Sequence, residues 1–250
     1  MEQEVFVEQR TESMGASTIS VNGDSTAFNP SSTALLEQPP VGDLHVFEPA
    51  AILPLRPAET SDFTETLIRG FDIVGSVIML LLAAPAMLFT AILVKVSSDG
   101  PVLYKQRRVG KLGRIFTLYK FRTMVNNAEE GTGPVWAAQN DNRVIPVGKV
   151  LRCTRLDELP QLFNVLQGDM SLVGPRPERP YFVGQHRALQ GVRLTVKPGI
   201  TGLAQIRAFY DLKPEHKLKY DYLYIQKRSF FLNAYILLKT IPVVLLRKGW

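Results

Sequence analysis

The sequence contains few of the residues from which disulfides, zinc sites and histidine triads are built. Among 250 residues there is one cysteine, Cys153, and three histidines stand far apart, at positions 45, 186 and 216. A single cysteine excludes an internal disulfide and a cysteine-based metal cluster, and it fits a reducing compartment. The scattered histidines argue against histidine-based zinc or triad chemistry. The N-terminus also lacks the basic stretch and apolar run of a secretory signal, so none is expected.

Basic residues are almost missing from the first quarter of the chain. Residues 1–68 hold 11 acidic and two basic residues, a net charge of −9, whereas residues 69–250 hold 12 acidic and 27 basic residues, a net charge of +15. Residues 1–60 are also rich in Ser, Thr and Pro and show no sustained hydrophobic period. We therefore predict a disordered acidic tail over residues 1–67. The basic remainder predicts an anionic partner: a phosphorylated ligand, lipid headgroups or nucleic acid.

A long uncharged run follows the acidic tail. Ile73 to Val94 are 22 consecutive residues without a charge, enough to cross a hydrocarbon core of about 30 Å. Pro85 lies near the middle and favours a kink. Basic residues flank both ends, and such residues prefer the cytoplasmic side of a membrane. Two interpretations remain open here: an ordinary transmembrane span, or a re-entrant helix–break–helix that enters and leaves by the same face.

The later part of the chain predicts short strands and helices. VLYKQ and IFTLYKF are typical of two strands of a hairpin around Gly110 and Gly113. Residues 214–228 predict a helix. The apolar C-terminal segment FFLNAYILLKTIPVVLLRKGW predicts an amphipathic helix lying on a membrane surface. We therefore expect an α+β fold that is mostly helical.

The segment TRLDELPQLFNVLQGDMSLVGPRPE places two carboxylates, Asp157 and Glu158, side by side. If Asp157 is an N-cap, Pro160 falls in the first turn of a helix that Gly168 ends. The simple interpretation is that both carboxylates cap this helix and interact with its dipole.

A catalytic interpretation of the same segment is also open. Adjacent helical residues point in different directions, so two carboxylates can serve a metal and a reacting atom. Arg152 lies just upstream, and Arg176 offers a planar fork suited to phosphate. Because carboxylates repel phosphate, a divalent cation such as Mg²⁺ is expected between them. An ionised carboxylate can also attack phosphorus and form an acyl phosphate.

Four segments together resemble the bacterial sugar transferases, the monotopic polyprenyl-phosphate phosphoglycosyl transferases. These segments are RGFDIVGSVIML, SSDGPVLYKQRRVGKLGRIFTLYKFRTM, RLDELPQLFNVLQGDMSLVGPRPE and KPGITGLAQ. They occur in the family's order, and the similarity covers roughly residues 68–249. The resemblance implies transfer of a sugar 1-phosphate from a UDP-sugar to undecaprenyl phosphate with release of UMP. It places this first membrane step of exopolysaccharide, capsule or glycan synthesis at the cytoplasmic face of the bacterial inner membrane.

The resemblance also implies roles for single residues. Asp157 corresponds to the nucleophile that forms a covalent phosphosugar intermediate, and Glu158 to the Mg²⁺ ligand. The family's membrane segment is a re-entrant helix broken at a Ser-Pro pair, which puts the break at Pro85, although this chain has Ala84 in place of the serine. The residues expected around the donor's phosphates are Lys120, Arg122, Arg152, Gly174, Pro175, Arg176 and Pro177. Apart from the resemblance, Gln205 of the KPGITG segment is a further candidate for substrate binding, although that segment also suits a purely structural turn.

On this basis residues 68–98 form a membrane-inserted re-entrant helix, and residues 99–250 form a cytosolic-face catalytic domain that ends in an interfacial helix. The expected partners are a UDP-sugar, undecaprenyl phosphate, inner-membrane lipids, downstream glycosyltransferases and, as a homodimer, a second copy. No nucleic acid is expected, because the basic residues cluster beside an apolar insert rather than alternating with aromatic residues. The alternative is a catalytically silent membrane scaffold or regulator of polysaccharide assembly, against which the intact Asp157 and Glu158 argue.

Overall fold

The structure, a computed structural model, describes residues 61–130, 133–135, 141–207 and 214–245. Residues 1–60, most of the predicted acidic tail, lie outside these ranges. The described chain is mostly helical and contains two small two-stranded sheets. This architecture confirms the α+β class expected from the sequence.

The first helix, α1 (Asp62–Ser97), begins inside the segment predicted to be the tail. Ser61 caps it, since the Ser61 hydroxyl accepts a hydrogen bond from the backbone N–H of Thr64 at 3.3 Å. Acidic residues in the first turn also suit the N-terminal end of a helix. These capping signals explain why residues 62–67 are helical.

The helix α1 continues through Pro85 without interruption. The sequence predicted two helical segments separated by a break, whereas the structure has one helix, so a change of direction at this proline would be a kink within it. Proline removes only one hydrogen bond of the helical ladder, and the turns on both sides of Pro85 keep theirs. An ideal helix of 36 residues is about 54 Å long, well beyond the thickness of a hydrocarbon core.

The helix α1 is buried towards its two ends and exposed in its middle. Asp72 and Ser76 are buried in the first half, and Thr90 and Val94 in the second. Residues 77–89 include no buried side chain in the described structure, and most of them are apolar. Of the helices in the described ranges, α1 alone has the length and hydropathy of a membrane-crossing segment.

Two polar side chains join α1 to the rest of the protein. Arg69 donates to two carbonyls in the last turn of α3 (Gln161–Gln167), at 2.6 and 2.9 Å. Asp72 accepts hydrogen bonds from a hydroxyl and a backbone N–H of β3 (Ser171–Val173), both at 2.9 Å. Both contacts lie on the early part of α1.

The predicted hairpin is confirmed. Strands β1 (Leu103–Val109) and β2 (Ile115–Phe121) pair antiparallel and are connected by a short 3₁₀ turn. Because side chains alternate along a strand, Phe116, Leu118 and Lys120 share one face of β2. The first two are buried in the core, and the same face therefore carries Lys120 towards the interior.

The segment that carries the adjacent carboxylates connects two short helices. Helix α2 (Pro146–Thr154) precedes a 3₁₀ turn over Leu156–Glu158, and α3 follows. Gly168 ends α3 with a φ of 90°, a left-handed conformation that favours glycine. The predicted helix stop at Gly168 is therefore confirmed.

The second sheet is formed by β3 and β4 (Gly199–Thr201), which pair in parallel. The predicted helix at 214–228 is confirmed as α6 (Pro214–Lys227). The remaining helices are α4 (Pro180–Gln185), α5 (Leu203–Arg207) and α7 (Phe230–Leu245).

The main hydrophobic core lies between β2, α3, β3, α6 and α7. Its buried side chains are Phe116, Leu118, Leu162, Val165, Met170, Leu172, Val173, Val196, Leu203, Tyr224, Ile225 and Ile236. The Tyr224 hydroxyl on α6 lies 2.9 Å from the carbonyl oxygen of Val173 and 3.0 Å from Asn233 Oδ1. On the other side of α7, Phe231, Tyr235 and Leu238 are exposed at helical spacing.

Candidate active site

The two adjacent carboxylates lie on a short turn rather than at the start of a helix. Arg155 follows α2 with a φ of 60° and a ψ of 13°, a left-handed conformation, and the 3₁₀ turn comes next. Pro160 occupies the N-cap position of α3, and no side-chain cap forms at the turn or at α3 among the described residues. The interpretation of Asp157 and Glu158 as helix caps is therefore wrong, which leaves both carboxylates for other partners.

Three cationic side chains of the described residues surround Glu158, which is 7% exposed. Arg176 Nη2 and Lys120 Nζ lie 2.5 and 3.0 Å from its Oε1 oxygen. Arg155 Nη1 lies 3.6 Å from the same oxygen. Arg176 Nη1 also reaches Oε2, at 3.3 Å. The fold therefore concentrates positive charge on one side of the carboxylate turn.

These contacts set the protonation of Glu158 and its partners. Burial alone would raise the pKa of Glu158, but Arg176, Lys120 and Arg155 hold that pKa well below its usual range. Glu158 in turn raises the pKa of Arg176, whereas burial lowers the pKa of Lys120. Glu158 is therefore an ion at neutral pH.

Asp157 has a different environment from its neighbour. It is 6% exposed, and its Oδ1 oxygen is buried without a hydrogen-bond partner among the residues described. Burial raises the pKa of Asp157 to about 6, Lys120 opposes this shift, and the charge of Glu158 adds to it. Arg152, whose Nε donates to Thr123 Oγ1 at 2.8 Å, also lowers the pKa of Asp157 through its charge. Asp157 is thus a buried carboxylate that is mostly ionised at pH 7.

The predicted phosphate turn, residues 174–177, named the arginine turn after Arg176, is held in place through its backbone. Three consecutive carbonyl oxygens of this turn accept hydrogen bonds from donors that are distant in the sequence. The bonds are Gly199 N–H to Pro175 at 2.9 Å, Arg193 Nη2 to Arg176 at 2.5 Å and Arg108 Nη1 to Pro177 at 2.9 Å. The side chain of Arg176 is left to reach Glu158.

Glycines allow the turn to lie directly against the KPGITG segment. A Cβ atom at Gly199 would lie 2.0 Å from the backbone nitrogen of Gly174, and one at Gly202 would lie 2.3 Å from the carbonyl oxygen of Gly174. Neither position has room for a side chain. The carboxamide of Gln205 lies beside Gly202, and both of its polar atoms are buried without a hydrogen-bond partner in the described ranges.

Arg122 lies away from this cluster, at the C-terminal end of α1. Its guanidinium donates to the carbonyl oxygens of Asp99 and Ser98, at 2.5 and 2.6 Å. Gly100, at a φ of 119°, makes the room, because a Cβ there would lie 2.1 Å from Arg122 Nη1. The structure therefore brings Lys120, Arg152, Asp157, Glu158 and Arg176 together but gives Arg122 a helix-capping contact.

Some residues at the site were not singled out in the sequence. Behind the turn, Glu178 faces Lys217, Arg108 and Arg193 at 3.6, 3.8 and 3.9 Å, and Arg193 pairs with Asp221. The only sequence signal was Glu178, which directly follows the turn in VGPRPE. The other partners come from distant segments whose approach depends on the fold.

Among the described residues, no group of three or more His, Cys, Asp or Glu side chains is placed to hold a metal ion. The oxygen donors at the site are the two carboxylates of Asp157 and Glu158. Mg²⁺ is often bound by one or two carboxylates together with phosphate oxygens of a substrate, so this donor set fits a cation that arrives with a phosphorylated ligand. Asp157 Oδ1 is buried without a hydrogen-bond partner among the described residues, whereas both oxygens of Glu158 already contact Arg176.

Comparison with known proteins finds one matching family and relatives with names of the same kind. A family described as bacterial sugar transferase matches residues 63–247. The chain is 46% identical, over 71% of its length, to a UDP-N-acetylgalactosamine-undecaprenyl-phosphate N-acetylgalactosaminephosphotransferase from Aeromonas hydrophila, of which it covers 43%. It is 42% identical, over 76% of its length, to a UDP-glucose:undecaprenyl-phosphate glucose-1-phosphate transferase from Klebsiella pneumoniae, of which it covers 42%.

The chain thus spans less than half the length of these two relatives. It covers 86% of a shorter one, the exopolysaccharide production protein ExoY from Rhizobium meliloti, at 39% identity over 72% of this chain. The family match takes in α1, the hairpin, the carboxylate turn and the arginine turn. The chain therefore belongs to the bacterial sugar transferase family.

Proposed function

We propose that this protein transfers a sugar 1-phosphate from a UDP-sugar to undecaprenyl phosphate and releases UMP, at the start of polysaccharide assembly. The observation that carries the proposal is the carboxylate turn, where a buried Asp157 oxygen lies beside a carboxylate that binds Lys120, Arg155 and Arg176. Phosphoryl transfer depends mainly on positioning and on neutralising phosphate charge, and these residues supply both. The names of the relatives describe transfers of this class.

In the first step, a carboxylate oxygen of Asp157 attacks the β-phosphorus of the UDP-sugar. A bond forms between that oxygen and phosphorus, and the bond from phosphorus to the bridging oxygen breaks, so UMP leaves with the electron pair. The product on the protein is an acyl phosphate that carries the sugar. Burial suits Asp157 to this role, because a carboxylate shielded from water reacts more readily than a solvated one.

In the second step, a phosphate oxygen of undecaprenyl phosphate attacks the same phosphorus. The bond to Asp157 breaks, the carboxylate is regenerated, and the sugar leaves on a polyprenyl diphosphate. Both steps place negative charge on phosphate oxygens next to Lys120 and Arg176. These cations are already gathered at the site, so they can stabilise that charge once they turn from Glu158 to the phosphates.

Magnesium belongs to the same proposal. Asp157 and Glu158 would hold it, and when bound it would neutralise phosphate charge and polarise the bond that breaks. Glu158 contacts Arg176 and Lys120, so it would be available to hold the metal only if the donor's phosphates took over these two cations.

We propose that α1 inserts into the cytoplasmic leaflet of the inner membrane and leaves by the same face, bending at Pro85. Buried residues near both ends of α1 pack against the same catalytic body, and the exposed middle of α1 is apolar. The apolar stripe on α7 would lie at the membrane surface, as an interfacial helix does. This arrangement puts the active site where a soluble nucleotide sugar meets a lipid phosphate.

The catalytic proposal is tested by the Asp157→Asn substitution. UMP release from UDP-sugars, with undecaprenyl phosphate and Mg²⁺ present, should fall at least about a thousand-fold, because an amide is a poor nucleophile towards phosphorus. A radiolabelled phosphosugar adduct, formed by wild-type protein without lipid acceptor, should also disappear. Asp169→Asn, which changes another carboxylate near α3, should keep both signals.

Turnover by Asp157→Asn near the wild-type rate would show that Asp157 is not the nucleophile. UMP formation that requires the lipid and leaves no adduct would replace the covalent route with direct transfer. A folded wild-type protein that releases no UMP from any UDP-sugar would favour the membrane scaffold instead.

The membrane path is tested by cysteine labelling in intact cells, in a variant whose native Cys153 is replaced by serine. New cysteines at Thr66 and Val96 lie on opposite ends of α1 and are exposed. Both should react only when the cytoplasmic side is opened to a membrane-impermeant reagent. Labelling of one position from the outside would establish a full span.

A further inference from the structure

A buried ion pair lies directly behind the arginine turn. Arg193 and Asp221 are 4% and 2% exposed, and Arg193 Nε lies 2.7 Å from Asp221 Oδ2. Arg193 belongs to a 3₁₀ turn and Asp221 to α6. The pair therefore joins two elements through residues that are 28 positions apart in the sequence. Neither residue has a role in the two steps proposed above.

The second side of the Arg193 guanidinium points at the turn. Its Nη2 donates to the backbone carbonyl of Arg176 at 2.5 Å and lies 3.9 Å from Glu178 Oε1. Asp221 therefore orients a planar guanidinium, and that guanidinium holds the backbone of the residue whose side chain binds Glu158. A lysine could not satisfy this geometry, because one ammonium cannot reproduce the fork of a guanidinium.

Stability alone does not account for this arrangement. Removing two charges from water opposes folding, and well-packed apolar residues of similar volume often replace a buried pair without loss. The pair does something that apolar residues cannot do, since it supplies a charged donor to one carbonyl of the turn. In the proposed function the Arg176 side chain exchanges Glu158 for a diphosphate, so its backbone must stay fixed while its side chain changes partner.

We propose that Arg193, oriented by Asp221, is a positioning residue that holds the backbone of Arg176 for binding the donor diphosphate. This inference rests on the proposed function, because the ligand of Arg176 is taken to be the UDP-sugar. Loss of the Arg193 contact releases the carbonyl of Arg176, while Gly199 and Arg108 still hold the carbonyls on either side of it. Arg176 then samples orientations that do not reach the phosphates.

The decisive variant is the double substitution Arg193→Met with Asp221→Leu, which replaces the pair by apolar side chains of similar size. KM for the UDP-sugar should rise about ten-fold or more, as expected for loss of a hydrogen bond from a charged group. KM for undecaprenyl phosphate should change less. Hydrogen–deuterium exchange should accelerate in the peptide that covers residues 174–178 and stay unchanged in the β1–β2 hairpin.

The matched control is Tyr224→Phe, which removes a buried hydrogen bond between α6 and β3 but no contact with the Arg176 carbonyl. It should lower the melting temperature while leaving KM for the UDP-sugar within about two-fold of wild type. Arg193→Lys serves as a second test if the double variant does not fold, because it keeps a buried positive charge beside Asp221. Its KM should also rise.

An unchanged KM and unchanged exchange at residues 174–178, in either folded variant, would overturn the positioning role. The exchange measurement needs no turnover, so it separates this inference from the proposed function. If wild-type protein releases no UMP but the double variant still loosens residues 174–178, the transferase proposal fails and the structural link between Arg193 and Arg176 stands.

Discussion

The carboxylate turn and the arginine turn meet at the same site but are built in opposite ways. In the carboxylate turn the backbone is strained, because Arg155 is left-handed, and the side chains of Glu158 and its neighbours form the contacts. In the arginine turn the backbone forms the contacts, through three consecutive carbonyls, and the side chain of Arg176 is the part that reaches out. Ion pairs hold the carboxylate turn, whereas hydrogen bonds to the backbone and close packing hold the arginine turn.

The difference assigns separate tasks to the two turns. A turn held by ion pairs of its side chains changes when a phosphate competes for the cations, whereas a turn held by hydrogen bonds to its own carbonyls keeps its shape. Binding of an anionic donor should therefore reorganise the surroundings of Glu158 and leave the path of residues 174–177 unchanged. Substitutions that attack packing and substitutions that attack charge should accordingly have different signatures.

The largest effect is expected from Gly199→Ala, which attacks the packing. Its Cβ would lie 2.0 Å from the Gly174 nitrogen and 2.6 Å from the Val173 carbonyl carbon, and backbone atoms cannot move aside as a side-chain end can. We expect a loss of at least about 3 kcal/mol in the free energy of unfolding, or failure to fold. Thermal or denaturant unfolding of purified protein measures this.

Gly70→Ala is the matched control for that substitution. The position lies in α1, where a Cβ would meet nothing within 4 Å among the described residues. Alanine there should leave stability unchanged or raise it by up to about 1 kcal/mol, since glycine is a weak helix former. A Gly199→Ala protein as stable as Gly70→Ala would contradict the close approach of the two segments.

The next largest effect concerns charge at the carboxylate turn and is read from pH. Burial raises the pKa of Asp157 to about 6. In the proposed mechanism only the ionised form of Asp157 attacks phosphorus. Turnover should therefore rise with pH, about ten-fold per unit below pH 6, and level off above it. Removing the negative neighbour by Glu158→Gln should lower the pKa of Asp157 and move this rise to lower pH.

The measurement is UMP release between pH 4.5 and about 8 at a donor concentration well below KM, where the rate reports ionisation of the free enzyme. Glu130→Gln, which removes an exposed carboxylate, should keep the wild-type midpoint. A flat wild-type profile across pH 5 to about 7, or an identical midpoint in Glu158→Gln, would argue against Asp157 as the group that titrates.

The smallest effect is expected from Arg155→Gly, which separates strain from charge. Glycine tolerates the left-handed conformation, so stability should stay the same or rise by about 1 kcal/mol. Because one cation near Glu158 is lost, kcat/KM should fall several-fold. Arg155→Lys keeps the charge and the strain, so it should be close to wild type in both respects. A marked loss of stability in Arg155→Gly would show that the side chain supports the fold.

Much of this architecture could be predicted from local patterns. Turn glycines indicated the β1–β2 hairpin, Gly168 indicated the end of α3, and a charge-free run indicated the exposed part of α1. The sequence predicted that Lys120 and Arg176 lie near the donor's phosphates, but it did not predict their contacts with Glu158. The capping interpretation was wrong because Arg155 takes a left-handed conformation. That conformation is usually indicated by a glycine, and an arginine in the sequence does not indicate it.

The contacts that could not be predicted are those made between distant segments. Lys120 and Arg122 are two residues apart and chemically alike in the sequence, yet one reaches Glu158 and the other the end of α1. Strand β2 ends between them, at Phe121, so the alternation that places Lys120 no longer applies to Arg122. Arg193 and Asp221 acquire their positions only when the 3₁₀ turn, α6 and the arginine turn pack together.

The contacts of Arg69 and Asp72 have a consequence for where the chain can be divided. Arg69 holds the far end of α3, whose near end follows the carboxylate turn, and Asp72 holds β3, which leads into the arginine turn. The helix that carries them therefore braces both turns, and it also carries the apolar segment that is proposed to enter the membrane. Deleting α1 to obtain a water-soluble protein would therefore also remove the contacts that support both turns. Replacing the exposed apolar side chains in the middle of α1 by polar ones is the better route to solubility.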